Sequence, residues 1–169
     1  MKKIFLPLFV ALVFACAQEP SKQIVGGKKD NTKKIAPDFS VPTLSGTPFS
    51  LSENKGKVVL VDFWATWCPP CLWEIPHLAK VYKELKEKGF EIIALSLDRD
   101  REAVLKFAKE RNINFPVAFA TQEIVSNYGG VSAIPTNVLV DKEGFIAEVF
   151  VGARDEKFWR QQIEKLIGG

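Results

Sequence analysis

Two cysteines define the chemistry open to this chain. The segment Trp67-Cys68-Pro69-Pro70-Cys71 sets two thiols three positions apart. At that spacing the sulfurs can meet as a disulfide on the first turn of a helix. The first Cys then faces the free N–H groups and the positive end of the helix dipole. Those groups favour thiolate over thiol, and such sites bring a Cys pKa into the range of roughly 3.5–7.5. Pro69 and Pro70 have no N–H, but a first turn has no intrahelical use for one, so they stiffen the loop at little cost. They also bring no His or Lys to stabilise the thiolate further. A less stabilised thiolate makes a less oxidising couple, which favours a reductant.

Other uses of the pair fit worse. A disulfide closing so small a loop would stabilise the fold little. With Cys16 lost to the leader or to lipidation, Cys68, Cys71 and the single His77 fall short of the ligands of a zinc or iron–sulfur site. His77 lies off the apolar stripe of its segment and is expected in solvent. No metal or other cofactor is expected.

Two carboxyls lie close to the pair in sequence. Asp62 interrupts the apolar run Val58 to Trp64, six residues before Cys68. A carboxylate on a buried strand is desolvated, so its pKa should rise, and it could then take the Cys71 proton at neutral pH. The alternative is a strand residue facing water. Glu74 follows Cys71 by one helical turn and can point back towards the sulfurs. Its alternative is an exposed helix carboxylate.

The surrounding elements read as alternating strands and helices. Asp38 to Val41 and Pro48 to Leu51 flank a Ser45-Gly46 turn, which suggests a hairpin. Val58 to Trp64 is nearly continuous apolar sequence, as in a strand buried on both faces. Cys71 to Lys88 reads as a helix whose inward stripe is Leu72, Ile75, Leu78, Tyr82 and Leu85, ended by Gly89. Pro76 removes one of its backbone hydrogen bonds and should kink it. Ile92 to Leu97 is a second strand, Arg101 to Arg111 a helix, Phe115 to Phe119 a short strand and Glu123 to Tyr128 a short helix. Thr136 to Val140 and Phe145 to Val151 are joined through Asp141-Lys142-Glu143-Gly144 as a hairpin. Asp155 is placed to cap a last helix bearing Trp159, Ile163, Leu166 and Ile167. Strands separated by helices pair in parallel with right-handed crossovers, and the closing hairpin should add antiparallel edges. The expected class is α/β, a mixed sheet covered by helices on both faces. Trp64 is read as core and Trp67 as the rim of the redox site, while Trp73 and Trp159 are read as packing.

Composition bounds the rest. The chain has 169 residues, 47% hydrophobic and 25% charged, enough for one domain plus a short extension. The formal charge of +3 falls to +1 once Lys2 and Lys3 are removed with a leader. A near-neutral domain is a poor nucleic-acid binder, because such binding is driven by neutralising phosphates. Lys2-Lys3 precede an apolar run of 12 residues, Ile4 to Ala15. That is short of the ~20 needed to cross a bilayer and fits a secretory signal. Ala15-Cys16-Ala17 suits cleavage after Ala17. Val13-Phe14-Ala15-Cys16 resembles a bacterial lipobox, although Phe14 is atypical there; in that case Cys16 is lipidated and becomes the new N-terminus. A Cys placed where the apolar run stops favours lipidation. Acyl chains would contribute about 0.8 kcal/mol per buried CH₂. Residues 17–34 show no apolar periodicity and read as a flexible tether. The expected division is therefore 1–16 leader, 17–34 tether and 35–169 folded domain.

Val61-Asp62-Phe63-Trp64-Ala65-Thr66-Trp67-Cys68-Pro69-Pro70-Cys71 resembles the active-site segment of thioredoxins. The continuation Leu72-Trp73-Glu74-Ile75-Pro76-His77-Leu78 is similar to the TlpA/ResA-like branch, extracytoplasmic thiol–disulfide oxidoreductases that are often membrane-tethered. Ala133-Ile134-Pro135-Thr136 resembles the cis-proline segment of that fold. The resemblance runs from about Ile35 to Gly169. It includes the N-terminal β-hairpin and an inserted helix–strand unit near Arg99 to Phe119.

The resemblance implies a thioredoxin-like fold and roles for further residues. Pro135 would be cis, exposing the Ile134 backbone to pair with a substrate chain beside Cys68; otherwise it is a plain strand-initiating proline. Trp67, Pro69 and Pro70 would complete the substrate-binding surface. Glu74 would modulate the cysteine pKa values and contact partners. Some members resemble this chain but carry an amide where it has Asp62. The implied partners are extracytoplasmic protein dithiols or disulfides, among them apocytochrome c, and a thiol-type membrane electron donor. The implied site is periplasmic or on the outer face of the cytoplasmic membrane, with a lipid anchor at Cys16, and a monomer is expected. A disulfide-forming oxidant would differ only in reduction potential, about 30 mV for each 1.4 kcal/mol. A thiol peroxidase would need Thr or Ser where Ala65 stands. A Cu(I) carrier of similar fold would need a distal His, and none follows His77.

Overall fold

The computed structural model describes residues 33–169. The leader, Cys16 and most of the expected tether lie outside the described residues. The last tether residues do not hang free of the domain. The Lys34 carbonyl accepts the Ile146 N–H at 2.7 Å, and Lys33 lies over the Phe145 ring. Contacts with the domain thus include residues just before the expected boundary at 35.

The chain order is β1 (Ser40–Pro42), β2 (Pro48–Ser50), β3 (Val58–Trp64), α1 (Pro69–Leu85), β4 (Phe90–Ser96), α2 (Arg101–Glu110), β5 (Val117–Phe119), α3 (Gln122–Asn127), β6 (Thr136–Val140), β7 (Ile146–Val151) and α4 (Glu156–Ile167). β1 and β2 form the expected hairpin. The other five strands make one sheet in the order β5-β4-β3-β6-β7. β3, β4 and β5 run parallel, as helical crossovers require.

β6 departs from the expected edge position. It inserts beside β3 and runs antiparallel to it, so of the two hairpin strands β7 alone is an edge, with β5 at the other side of the sheet. Burial explains the difference. All five residues of β6 are buried, whereas β7 exposes most of its side chains. A strand apolar on both faces belongs inside a sheet.

Alternation along β3 divides the core. Val58, Leu60 and Trp64 point to the face covered by α1, α2 and α4, where Ile75, Leu78, Val104, Trp159 and Ile163 pack. Val59, Val61 and Phe63 point to the opposite face, against the hairpin and α3 through Phe39, Phe49 and Ile124. Asp62 shares the parity of Leu60 and Trp64, so it lies on the α1 side.

Helix ends follow their capping residues. α1 begins at Pro69, earlier than expected, because Cys68 is its N-cap and both prolines fit the first turn. It runs on past Pro76 to Leu85, and the chain turns away at Gly89, whose φ of 93° is left-handed. Asp155 Oδ1 accepts the Phe158 N–H at 2.8 Å and caps α4 as expected.

Candidate active site

β3 delivers the chain from the middle of the sheet to the start of α1, and the cysteines sit at that junction. Cys68 and Cys71 are joined as a disulfide, with Cα atoms 5.3 Å apart. The Cys71 N–H donates to Cys68 Sγ at 3.2 Å. That is an N-cap interaction with sulfur in the place usually taken by oxygen. The same N–H, with the helix dipole behind it, would stabilise a Cys68 thiolate after reduction. Both cysteines are largely covered, Cys68 at 4% and Cys71 at 1% exposure, so Cys68 is the outer of the two. Trp67, Pro69 and Pro70 around it are exposed.

The loop before Cys68 is held from below. Asp98, just past β4, accepts the Thr66 N–H at 2.9 Å and the Thr66 hydroxyl at 2.6 Å. The Ser96 hydroxyl donates to the same carboxylate at 2.8 Å. No residue type or spacing in the sequence tied Asp98 to this loop.

On the other side, the loop before β6 brings Ile134 and Pro135 to the disulfide. The Ile134–Pro135 peptide is cis, and the Ile134 carbonyl oxygen lies 3.7 Å from Cys68 Sγ. The segment expected to lie beside the outer sulfur is therefore adjacent to it.

Both carboxyls are buried on the α1 side of the sheet, each at 1% exposure. Neither the water-facing alternative for Asp62 nor the exposed alternative for Glu74 holds. Glu74 Oε1 accepts the Arg154 N–H at 2.8 Å and the Trp159 indole N–H at 2.9 Å, and Oε2 accepts from Asn137 Nδ2 at 3.1 Å. Burial pushes the Glu74 carboxyl up, and these donors together with the Arg154 charge pull it only part of the way back. Asp62 has no such relief. Its Oδ1 is buried without a partner among the described residues, and burial first, then the nearby Glu74 charge, holds its carboxyl well above the usual range. Asp62 is thus suited to carry a proton where Glu74 is suited to carry charge.

Two placements differ from expectation. Trp73 is no packing residue: it is 53% exposed and leans on the His77 ring, with centroids 4.6 Å apart. His77 is half-buried rather than solvated, because Trp73 covers it. Trp159 is fully buried, as expected of packing, and is also a donor to Glu74. Asn137 was missed by sequence reasoning. The available signal was a polar residue on the inward face of an apolar strand, the same signal that singled out Asp62.

A mixed sheet flanked by helices, with a dithiol pair at a strand-to-helix junction, defines a thioredoxin-fold thiol–disulfide oxidoreductase. The chain belongs to the Redoxin family, whose profile matches residues 29–167. It is 40% identical over 134 residues to the thiol-disulfide oxidoreductase ResA of Bacillus anthracis, covering 79% of this chain and 77% of that one. It is 34% identical over 158 residues to ResA of Bacillus subtilis (strain 168), covering 92% and 88%. Among solved structures, a thiol:disulfide interchange protein of the thioredoxin family from Chlorobium tepidum TLS is similar, with a TM-score of 0.78 and 34% identity over 82% of this chain and 99% of that one. A putative thiol:disulfide interchange protein DsbE from Chlorobium tepidum has a TM-score of 0.74 and 35% identity, over 80% and 97%.

Proposed function

We propose that the protein works outside the cytoplasm as a reductant of protein disulfides, with Cys68 as nucleophile and Cys71 as resolving thiol. The observation that carries this reading is the Cys71 N–H directed at Cys68 Sγ at the N-terminus of α1. It singles out Cys68 as the sulfur that is favoured as a thiolate.

The exchange has two steps. Cys68 thiolate attacks one sulfur of the substrate disulfide; a Cys68–substrate bond forms, and the substrate S–S bond breaks to release a thiolate that takes a proton. Cys71 then gives its proton to the buried carboxyl pair and attacks Cys68 Sγ. The Cys68–Cys71 bond forms, the second substrate thiol leaves, and two electrons have passed to the substrate. Asp62 and Glu74 serve the second step as proton acceptor and electrostatic partner. Trp67, Pro69, Pro70, Ile134 and Pro135 form the surface on which the substrate chain lies.

The direction rests on Pro69 and Pro70, which add no cationic support to the thiolate. A thiol-type membrane donor restores the dithiol, a lipid on Cys16 holds the protein at the membrane, and residues 17–34 let the monomeric domain move between donor and client. Apocytochrome c is the proposed client class, in line with the resemblance to the ResA branch.

Cys68→Ser is expected to abolish reduction of insulin disulfides, and Cys71→Ser to accumulate mixed disulfides with clients. Full activity in Cys68→Ser would overturn the assignment. Equilibration with glutathione tests direction, since a couple as oxidising as about −120 mV would make the protein a disulfide donor. Labelling with a fatty acid tests the anchor: an unlabelled protein, or a Cys16→Ser variant still on the membrane, removes it.

A further inference from the structure

Asn137 lies in β6 and is fully buried. In the β3–β6 ladder it stands directly opposite Asp62. Opposed residues on neighbouring strands project to the same face with Cβ atoms about 5 Å apart. That face is the one α1 covers, and from it Asn137 Nδ2 donates to Glu74 Oε2 at 3.1 Å. The amide therefore touches one buried carboxyl and neighbours the other.

The polar atoms left over are complementary. Among the described residues, Asn137 Oδ1 is buried without a donor and Asp62 Oδ1 is buried without a partner. A buried polar atom left unpaired is costly, so such atoms usually pair. With Nδ2 committed to Glu74, the amide offers Asp62 an acceptor, and only a protonated Asp62 has a hydrogen to give it. Glu74 has three N–H donors around its oxygens and is satisfied as an anion. Charged groups near the pair are few: Glu74 on α1 acts on Asp62, and Arg154, from the loop before α4, acts on Glu74. The Arg154 guanidinium itself is turned to the carbonyls of Val151, Gly152 and Ala153.

We propose that Asn137 is a positioning residue that ties Asp62 to Glu74 through its carboxamide, so that the two buried carboxyls hold one proton between them, resident on Asp62. The proton lies on Asp62, the amide oxygen accepts it, and the amide N–H holds Glu74 as the anion. The link deepens the dithiol reading: the proton the pair holds in the oxidised protein is the one Cys71 gives up in the resolving step, and in the dithiol protein the pair is ionised and free to take it. Its existence, however, can be read from the oxidised protein without any turnover.

The sign of the effect follows from what Asn137 pairs with. In the singly protonated pair it makes two hydrogen bonds; with both carboxyls ionised, its oxygen is left facing an anion. Replacing it with Leu costs the protonated form more, so the last proton should leave about one pH unit lower. In an Asp62→Asn background only the bond to Glu74 is lost, and Glu74 should then titrate higher. Water admitted by a merely structural defect would lower both. The test is carbon-13 NMR titration of the Asp and Glu carboxyls in the oxidised protein, with and without Asn137→Leu, in both backgrounds. Shifts of opposite sign support the link; shifts of the same sign, or none, overturn it. Should Asn137→Leu fail to fold, the native protein decides alone. The Asn137 side-chain N–H₂ resonances must move through the same pH midpoint as the Asp62 carbon, and their staying fixed overturns the proposal. Loss or retention of disulfide reduction bears on the dithiol reading and not on this titration.

Discussion

The Trp159 indole N–H donates to Glu74 Oε1 at 2.9 Å, joining the last helix to the first behind the disulfide. Trp159 is fully buried and packs edge-on to Phe150 and Phe158. Trp159→Phe keeps most of that aromatic packing and removes the donor. It should cost about 1–3 kcal/mol in denaturant unfolding. It should also move the Glu74 carboxyl further up, because one of the bonds that hold it down is gone. An unchanged Glu74 titration in this variant would show that the indole only fills space.

Glu74 itself separates two kinds of loss. Glu74→Ala strands the N–H groups of Arg154, Trp159 and Asn137 in the core. It should destabilise by about 2 kcal/mol or more. Glu74→Gln can keep Oε1 on Arg154 and Trp159, and a turned Asn137 amide can offer its oxygen to the new N–H₂. That variant should stay within about 1 kcal/mol of the native protein while losing the charge beside Asp62. Thiol–disulfide exchange should then lose its native pH dependence although the fold persists. Stopped-flow reduction across pH, set beside urea unfolding, reads both effects.

Asp62→Asn tests the protonated carboxyl by linkage. Asp62 has its folded pKa raised, first by burial and then by Glu74. Such a group costs no stability below the unfolded value of ~3.9. The cost appears as pH climbs above that value and stops growing once the folded pKa is passed. Asp62→Asn should therefore leave stability near native at pH 3.5 and raise it at pH 7.5, by more than the ~0.5 kcal/mol scatter of surface changes. The resolving step should slow, because the proton acceptor is gone. A variant less stable at pH 7.5 and fully active would make Asp62 a packing residue.

The site was legible where one element sufficed to define it. β3 matches its apolar run residue for residue, and the buried state of Asp62 followed from the nearly continuous apolar sequence around it. Cys68 at a helix start followed from the two-residue spacing between the cysteines. Glu74 was ambiguous because what decides its state comes from elsewhere. Its three partners lie 63, 80 and 85 residues further on, in β6, the loop before α4 and α4. Local spacing carries no trace of such contacts. The place of β6 was misjudged for a related reason: short-range patterns fix where a strand begins and ends, whereas its neighbour in the sheet depends on which face the chain crosses. The apolar run Val138-Leu139-Val140, buried on both faces, was the available clue, and the buried Asn137 before it belonged to the site.

Asp98 offers a test of how the loop before the nucleophile is held. Its carboxylate takes both the N–H and the hydroxyl of Thr66, two residues before Cys68, and is itself braced by Ser96. These bonds fix where the chain leaves β3 and enters α1, so they orient Cys68 without touching it. Asp98→Ala removes all three at once. Charge-assisted bonds of this kind count for about 1.5–3 kcal/mol each at most, and partial exposure with water replacement reduces the sum. The expected loss of global stability is about 2 kcal/mol. The more telling result is kinetic. A loosened Cys68 no longer keeps its sulfur on the Cys71 N–H, so the thiol should alkylate more slowly at pH 6, where only a stabilised thiolate reacts, and at a near-native rate at pH 9. Asp98→Asn retains an acceptor for Thr66 and should recover part of the pH 6 rate. Equal slowing at both pH values would mean that the loop governs access to the sulfur rather than its ionisation.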